Sequence, residues 1–269
     1  MQTVSVSDVC ATIERAPSHA VVAFDCDGTL WSGDVGEDWF VELVERAGFY
    51  ESASRAMRDE ARAHGLRAEG SDREVAESLV AAMNTGVYEE RRLYELMAWA
   101  GAGRTDDEVR SVLDAMLTRV GLEARLHGET LAILRCADER GLRTVAVSAS
   151  PRAVVEACLE HLGIAPFAVC AATQAREGAV LAPRLSAPLP YRHGKVLALR
   201  EVIGETPVIA ALGDSAFDLE MLALAEVPLA VRPKSALRER AAELGTLREL
   251  ERRELDFASP NHGSPRRYG

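Results

Sequence analysis

Lysine is almost missing from this chain: of 31 basic residues only Lys195 and Lys234 are lysine, and the rest are arginine. Paired cysteine motifs are missing too. The five cysteines, Cys10, Cys26, Cys136, Cys158 and Cys170, are odd in number, scattered, and contain no C-x-x-C. That pattern argues against a disulfide framework or a zinc site and fits a reducing cytosol. The six histidines fall at no metal-binding spacing. No apolar run reaches transmembrane length, and residues 1–16 contain no apolar core of the kind a signal peptide carries. Excess positive charge is absent as well. The formal net charge is -11 and the isoelectric point about 5.1, which argues against nucleic acid or an anionic membrane as the main partner. A locally positive site can still take an anionic ester. A soluble, cytoplasmic protein acting on a small molecule is the expectation, with the oligomeric state left open.

What is present is a core-forming composition, 48% hydrophobic and 27% charged over 269 residues, enough for one large or two modest domains. A short helix over 5–15 precedes the apolar run Val21-Val22-Ala23-Phe24, which reads as a strand buried on both faces of a parallel sheet. From Val35 to about Arg125 apolar residues recur at helical spacing, as in Trp39, Phe40, Leu43 and Val44. Breaks at Gly48, 65–71, 84–86 and 101–105 divide this stretch into four or five helices, the last opened by a Thr105/Glu108 capping box. Beyond His127 helices and buried strands alternate. Helices are expected over 129–140, 193–203 and 215–224, and strands over 144–147, 167–171, 208–212 and 227–231, with a hairpin or flap over 179–185. The fold class is therefore α/β, a doubly wound parallel sheet with an inserted all-helical domain. The expected boundaries are 1–32 and 127–255 for the sheet core, 33–126 for the helical insert, and 256–269 for a mobile tail rich in Pro, Gly, Ser and Asn.

Four polar stations end apolar runs, and in such sheets ligands bind beyond the carboxyl ends of the strands. The first is Asp25-Cys26-Asp27-Gly28-Thr29. Two carboxylates leaning the same way at a buried strand end repel each other, and a divalent cation relieves that repulsion; read blandly, the segment is an Asp-Gly turn in solvent. The second is Ser148-Ala149-Ser150. Ser148 offers a hydroxyl and nearby amides to an anion, whereas Ser150, before Pro151, reads as a helix cap. Lys195 is the third: a chain that writes arginine almost everywhere keeps a compact ammonium here. The fourth is Gly213-Asp214 with Asp218 one turn later, placed to ligate a metal and to hold metal-bound waters or orient Lys195. Both acids could instead serve only the helix dipole. Together the stations offer a nucleophilic carboxylate, a second carboxyl for proton transfer, hydroxyl and amide donors, one ammonium and a hard-metal site, the set that phosphoryl transfer through a covalent aspartyl phosphate needs.

These four segments, in this order, resemble the four motifs of the haloacid dehalogenase superfamily, and the helical insert resembles the small cap of its phosphoserine phosphatase branch. The resemblance implies Asp25 as nucleophile and Asp27 as acid and base. It also implies Mg2+ held by Asp25, the Asp27 carbonyl and Asp214 with Asp218 nearby, and Ser148, Ala149, Thr29 and Lys195 around the phosphoryl group. An acid at Asp27 speaks against a true dehalogenase, whose leaving group is not an alkoxide. In the cap the resemblance implies that Asp34, with Glu37 beside it, meets a substrate amine and that Arg92 or Arg91 meets a carboxylate; a solvated helix face is the plainer account of these arginines. One departure is Phe217, where that branch carries an asparagine; a phenyl ring offers no amide hydrogen bonds, which points away from phosphoserine itself. Trp31 and Trp39 are candidates for stacking on an organic cation, though packing accounts equally for Trp39. The expected activity is magnesium-dependent hydrolysis of a small phosphomonoester. The alternatives are a phosphotransferase of the same fold, or a non-catalytic binder of phosphorylated metabolites.

Overall fold

The computed structural model describes residues 1–254; the tail expected over 256–269 lies outside the described residues. The chain opens with β1 (Gln2–Val4), α1 (Val6–Glu14) and β2 (Val21–Phe24). Five helices follow: α2 (Val35–Glu42), running into a π-helical turn at Leu43–Ala47, then α3 (Glu51–Ala63), α4 (Asp72–Asn84), α5 (Glu90–Trp99) and α6 (Asp106–Val120). The remainder alternates: α7 (Gly128–Arg140), β3 (Arg143–Pro151), α8 (Arg152–His161), β4 (Ala168–Ala172), the hairpin β5 (Gln174–Glu177) and β6 (Val180–Leu185), α9 (His193–Ile203), β7 (Val208–Gly213), α10 (Leu219–Leu222), β8 (Ala225–Ala230), α11 (Ser235–Arg240) and β9 (Arg248–Leu250).

Seven strands form one parallel sheet in the order β1-β9-β8-β7-β2-β3-β4. All four side chains of β2 are buried, and they divide between two cores. Val22 and Phe24 pack with Ile13 and Ile133 from α1 and α7, whereas Val21 and Ala23 pack with Leu199 and Leu222 from α9 and α10. Helices on both faces explain why β2 reads as a continuous apolar run without alternation. From β2 the chain proceeds outward through β3 and β4, then crosses to β7 on the other side of β2. The sheet order therefore reverses at β2, which opens a crevice beyond the strand ends there.

Within the helical insert, Ser71/Glu74 and Thr105/Glu108 form reciprocal capping boxes on α4 and α6. The buried Arg104 guanidinium donates to the Ala47 and Gly48 carbonyls and lies 4.5 Å over the Tyr50 ring, satisfying the end of the π-helical turn. Three sequence expectations need correction. Cys10 of α1 and Cys136 of α7 form a disulfide, a pairing between residues 126 apart that no local spacing announces; the argument for an all-thiol chain loses that premise. Residues 215–224 are not one helix, because the Asp218 side chain turns back to the Ser215 N–H and hydroxyl and closes a short 3-10 turn ahead of α10. Ser150 does not cap α8. β3 continues through Pro151, so the cap position falls on a residue with no side-chain acceptor, and the Ser150 hydroxyl is free for another partner.

Candidate active site

β2, β3 and β7 end side by side, and the polar stations meet there because adjacent parallel strands place their carboxyl ends together. Asp25 is buried, and its backbone N–H donates to the Leu212 carbonyl of β7 at 3.0 Å. The Lys195 ammonium, in the first turn of α9 and also buried, lies 2.6 Å from Asp25 Oδ1 and 2.5 Å from Asp218 Oδ1. Thr29 Oγ1 donates to Asp25 Oδ2 at 3.2 Å. Thr29 is fully buried, with its carbonyl held by the Thr130 hydroxyl at 2.7 Å, so it braces Asp25 from beneath and does not face the cavity. Burial pushes the Asp25 carboxyl well above the usual carboxylate range, against the pull of Lys195 and with the charges of Asp218, Asp214 and Asp27 adding to the rise. Burial opposes the charge on Lys195, but Asp218 and Asp25 outweigh it and hold the ammonium protonated.

Asp27 is held on both oxygens. Oδ1 accepts from Trp31 Nε1 and from the Val35 N–H, each at 2.8 Å; Oδ2 accepts from Ser150 Oγ at 2.7 Å and Ser148 Oγ at 3.3 Å. Asp34 is the N-cap of α2, accepting from the Glu37 N–H at 2.9 Å, with Ser150 Oγ at 3.5 Å. Burial, aided by the charge of Asp27, pushes the Asp34 carboxyl up to about 8.

Asp214 closes β7. Gly28 lies against it: a Cβ there would stand 2.1 Å from Asp214 Oδ2, and its φ of +78° is one that glycine adopts freely. The Lys234 ammonium pairs with Asp214 at 3.0 Å, and the Lys234 N–H donates to the Asp214 carbonyl at 2.8 Å. Arg232, in a left-handed conformation (φ 43°), anchors this loop through the buried Glu129 at 2.7 Å. Burial and the charge of Asp218 raise the Asp214 carboxyl to about 6. Ligand oxygens of Asp25, Asp214 and Asp218 lie within 4.8 Å of one another. Three buried carboxylates this close, with only oxygen donors, could hold a hard divalent cation. The Asp27 carboxylate is not among them, since its hydrogen bonds turn it toward Trp31, Val35 and the serines.

The model of the haloacid dehalogenase-like hydrolase family matches residues 22–223, a span that takes in all four stations and the helical insert. The chain belongs to this family. Among solved structures, a protein of unknown function from Bordetella pertussis Tohama I is 19% identical over 87% of this chain and 99% of its own, with a TM-score of 0.68. A functionally unknown protein from Anaerococcus prevotii DSM 20548 is 15% identical over 90% of each chain, TM-score 0.65. A phosphoserine phosphatase, solved as an analogue of its phospho-aspartyl intermediate, is 14% identical over 86% of this chain and 92% of its own, TM-score 0.53. At these identities the likeness is one of fold. No curated protein matches the chain.

In this hydrolase the stations line one cavity of about 390 Å³. Asp25, Asp27, Ser148, Ala149, Lys195 and Asp214 form its strand-end floor, and Asp34 faces it from α2. Arg92 is not brought to it: its guanidinium pairs with Glu60 and Glu89 on a largely exposed helix face, and Arg91 pairs with Glu95. Trp31 and Trp39 are buried away from the cavity, Trp31 as a donor to Asp27 and Trp39 in the core. Ser150, Lys234, Glu90 and the Tyr94–Tyr191 pair that joins Phe217 on the wall were not singled out for the site from sequence. For Lys234 a signal existed, since it is the other lysine in a chain that otherwise uses arginine.

Proposed function

We propose that this chain is a magnesium-dependent phosphatase of small-molecule phosphomonoesters, working through an aspartyl phosphate on Asp25. The observation that carries the reading is the pairing of a buried, lysine-held carboxylate at the end of β2 with a second carboxyl two residues on, both opening onto one cavity. Asp25 attacks phosphorus, and the bond from phosphorus to the ester oxygen breaks. Asp27 gives its proton to the departing alkoxide, so a neutral alcohol leaves. Oδ1 of Asp27 is committed to two N–H donors, so Oδ2, to which the Ser148 and Ser150 hydroxyls donate, is the oxygen left to exchange the proton with the leaving group and with water. The ionised Asp27 then takes a proton from water, whose oxygen attacks the phosphoryl group. The bond to Asp25 breaks, inorganic phosphate leaves, and Asp27 is again protonated.

Lys195, the Ser148 hydroxyl and the Ala149 amide are the donors we assign to the phosphoryl oxygens. Asp218, with one oxygen committed to Ser215 and the other to Lys195, fixes the ammonium's direction. Asp25, Asp214 and Asp218 would hold magnesium, with the Asp27 carbonyl. When bound it supplies positive charge against the repulsion between carboxylate nucleophile and phosphate dianion. We place the activity in the cytoplasm. The test is phosphate release from a phosphomonoester panel with magnesium and with chelator, beside Asp25→Asn. Release that needs magnesium and vanishes in the variant is expected, with an acid-stable phosphoryl adduct on the Asp25 peptide of quenched wild type. A folded Asp25→Asn protein with wild-type turnover would falsify the mechanism.

A further inference from the structure

The aromatic wall of the cavity has its own chemistry. Phe217, from the turn after β7, packs against Tyr191 in a tilted pair with ring centroids 4.7 Å apart, and Tyr191 in turn meets Tyr94 of α5 at 5.9 Å. Glu90, in the first turn of α5, accepts from both phenols, Tyr94 at 3.3 Å and Tyr191 at 3.1 Å. All four residues line the cavity. Glu90 and Asp34, the carboxylates on this side, have no ion-pair partner among the described residues. The two cations that line the cavity, Lys195 and Lys234, are both committed to the strand-end acids, at Asp25, Asp218 and Asp214.

The rings of Phe217, Tyr191 and Tyr94 and the unpaired Glu90 carboxylate favour positive charge; the guanidinium against these rings, Arg192, is exposed and outside the cavity lining, so no cation lining this part of the cavity is free for a substrate carboxylate. The aromatic pair already attracts one cation. The exposed Arg192 guanidinium lies 5.1 Å over Phe217 and 5.4 Å over Tyr191. Aromatic faces hold organic cations well, more so when desolvated, and a neighbouring carboxylate adds Coulomb attraction in a partly water-excluded site. A phenyl ring at position 217 is therefore a positive selector here, beyond lacking an amide.

We infer that Glu90, Tyr94, Tyr191 and Phe217 form an organic-cation subsite, so that the substrate is the phosphomonoester of an amino or quaternary-ammonium alcohol without a carboxylate. This inference rests on the phosphatase reading above. A cavity of about 390 Å³ suits a ligand of that size.

The experiment compares kcat/KM for phosphocholine, phosphoethanolamine, glycerol 3-phosphate and phosphoserine, with p-nitrophenyl phosphate as a general reporter, in wild type, Glu90→Gln and Phe217→Leu. The cationic esters are expected to exceed glycerol 3-phosphate and phosphoserine by about tenfold or more. That ratio should shrink about fivefold or more in each variant, and the order of the two cationic esters reports the degree of N-alkylation preferred. Equal or better turnover of the neutral or carboxylate-bearing ester, while p-nitrophenyl phosphate is still hydrolysed, overturns the subsite and leaves the phosphatase standing. A cation preference untouched in both folded variants overturns the residue assignment. No turnover of any ester, p-nitrophenyl phosphate included, overturns both.

Discussion

Replacing Asp34 by asparagine tests the electrostatics of the cavity without touching the chemistry assigned to Asp25 and Asp27. Asparagine caps a helix as well as aspartate does, and its carboxamide oxygen can keep the 2.9 Å bond from the Glu37 N–H. The charge is what changes. Burial and the charge of Asp27 raise the Asp34 carboxyl from 3.8 to about 8. A folded-state value above the unfolded one means that the folded protein holds this proton more tightly. The resulting stability is fully present below pH 4 and is lost as the pH rises toward 8. Between pH 5 and 8 the unfolded chain has released the proton and the folded chain has not, and each pH unit costs about 1.4 kcal/mol. Wild type should therefore lose roughly 4 kcal/mol relative to Asp34→Asn across that interval. The assay is urea denaturation of both proteins at several pH values from 5 to 9, in chelator so that no cation offsets the acids. The stability gap should grow in the variant's favour with pH and level off above 8. A gap independent of pH would mean that Asp34 ionises at its ordinary value, and the account of its burial would be refuted. A constant deficit in the variant would assign Asp34 to capping alone.

Ser150→Ala removes the 2.7 Å donor to Asp27 Oδ2 and should lower kcat on p-nitrophenyl phosphate by about ten- to a hundredfold, with Ser150→Thr recovering part of the loss; an unchanged kcat returns Ser150 to a structural role. Lys195→Met leaves Asp25 and Asp218 buried without their cation and should cost roughly 3–5 kcal/mol in chelator at pH 8. The loss should be smaller at pH 5, where the buried Asp25 carboxyl, held above its usual range, takes a proton more readily, and an equal loss at both pH values counts against the ion-pair account. Thiol titration of the unfolded, unreduced protein should find three thiols, Cys26, Cys158 and Cys170. Reducing the Cys10–Cys136 bond should lower stability by about 2–4 kcal/mol, whereas five titrating thiols would show that the bond does not form in solution.

The elements legible in the sequence were those whose signals are local. α9 begins and ends where its apolar spacing begins and ends, at His193 and Ile203; the Thr105 capping box and the left-handed Gly141 after α7 lie where their residue types place them. β1 and β9 escaped because a strand of three residues carries too little pattern to separate from a loop. The Cys10–Cys136 bond escaped because its two helices come together only through packing on one face of the sheet.

The site divides along the same line. Its strand-end half was legible because a parallel sheet gathers the carboxyl ends of β2, β3 and β7, so that order along the chain becomes proximity in space. The cap-facing half has no such rule. Arg92 and Tyr94 are two residues apart on α5, yet one pairs with Glu60 in solvent and the other faces the cavity, a difference set by how the helix is rotated against the core. Tyr94, Tyr191 and Phe217 come from three separate segments, and only the folded chain makes them one surface. Ser150 was misassigned for a subtler reason: Ser-Pro before a helix satisfies the capping pattern whether or not β3 runs four residues past Val147. Where two local rules compete for one side chain, the nearby unpaired group decides, and here that group was Asp27, 123 residues away in sequence. The floor of the cavity thus follows from rules local to the strands, while contacts such as Glu90 to Tyr191 lie in no single window of sequence.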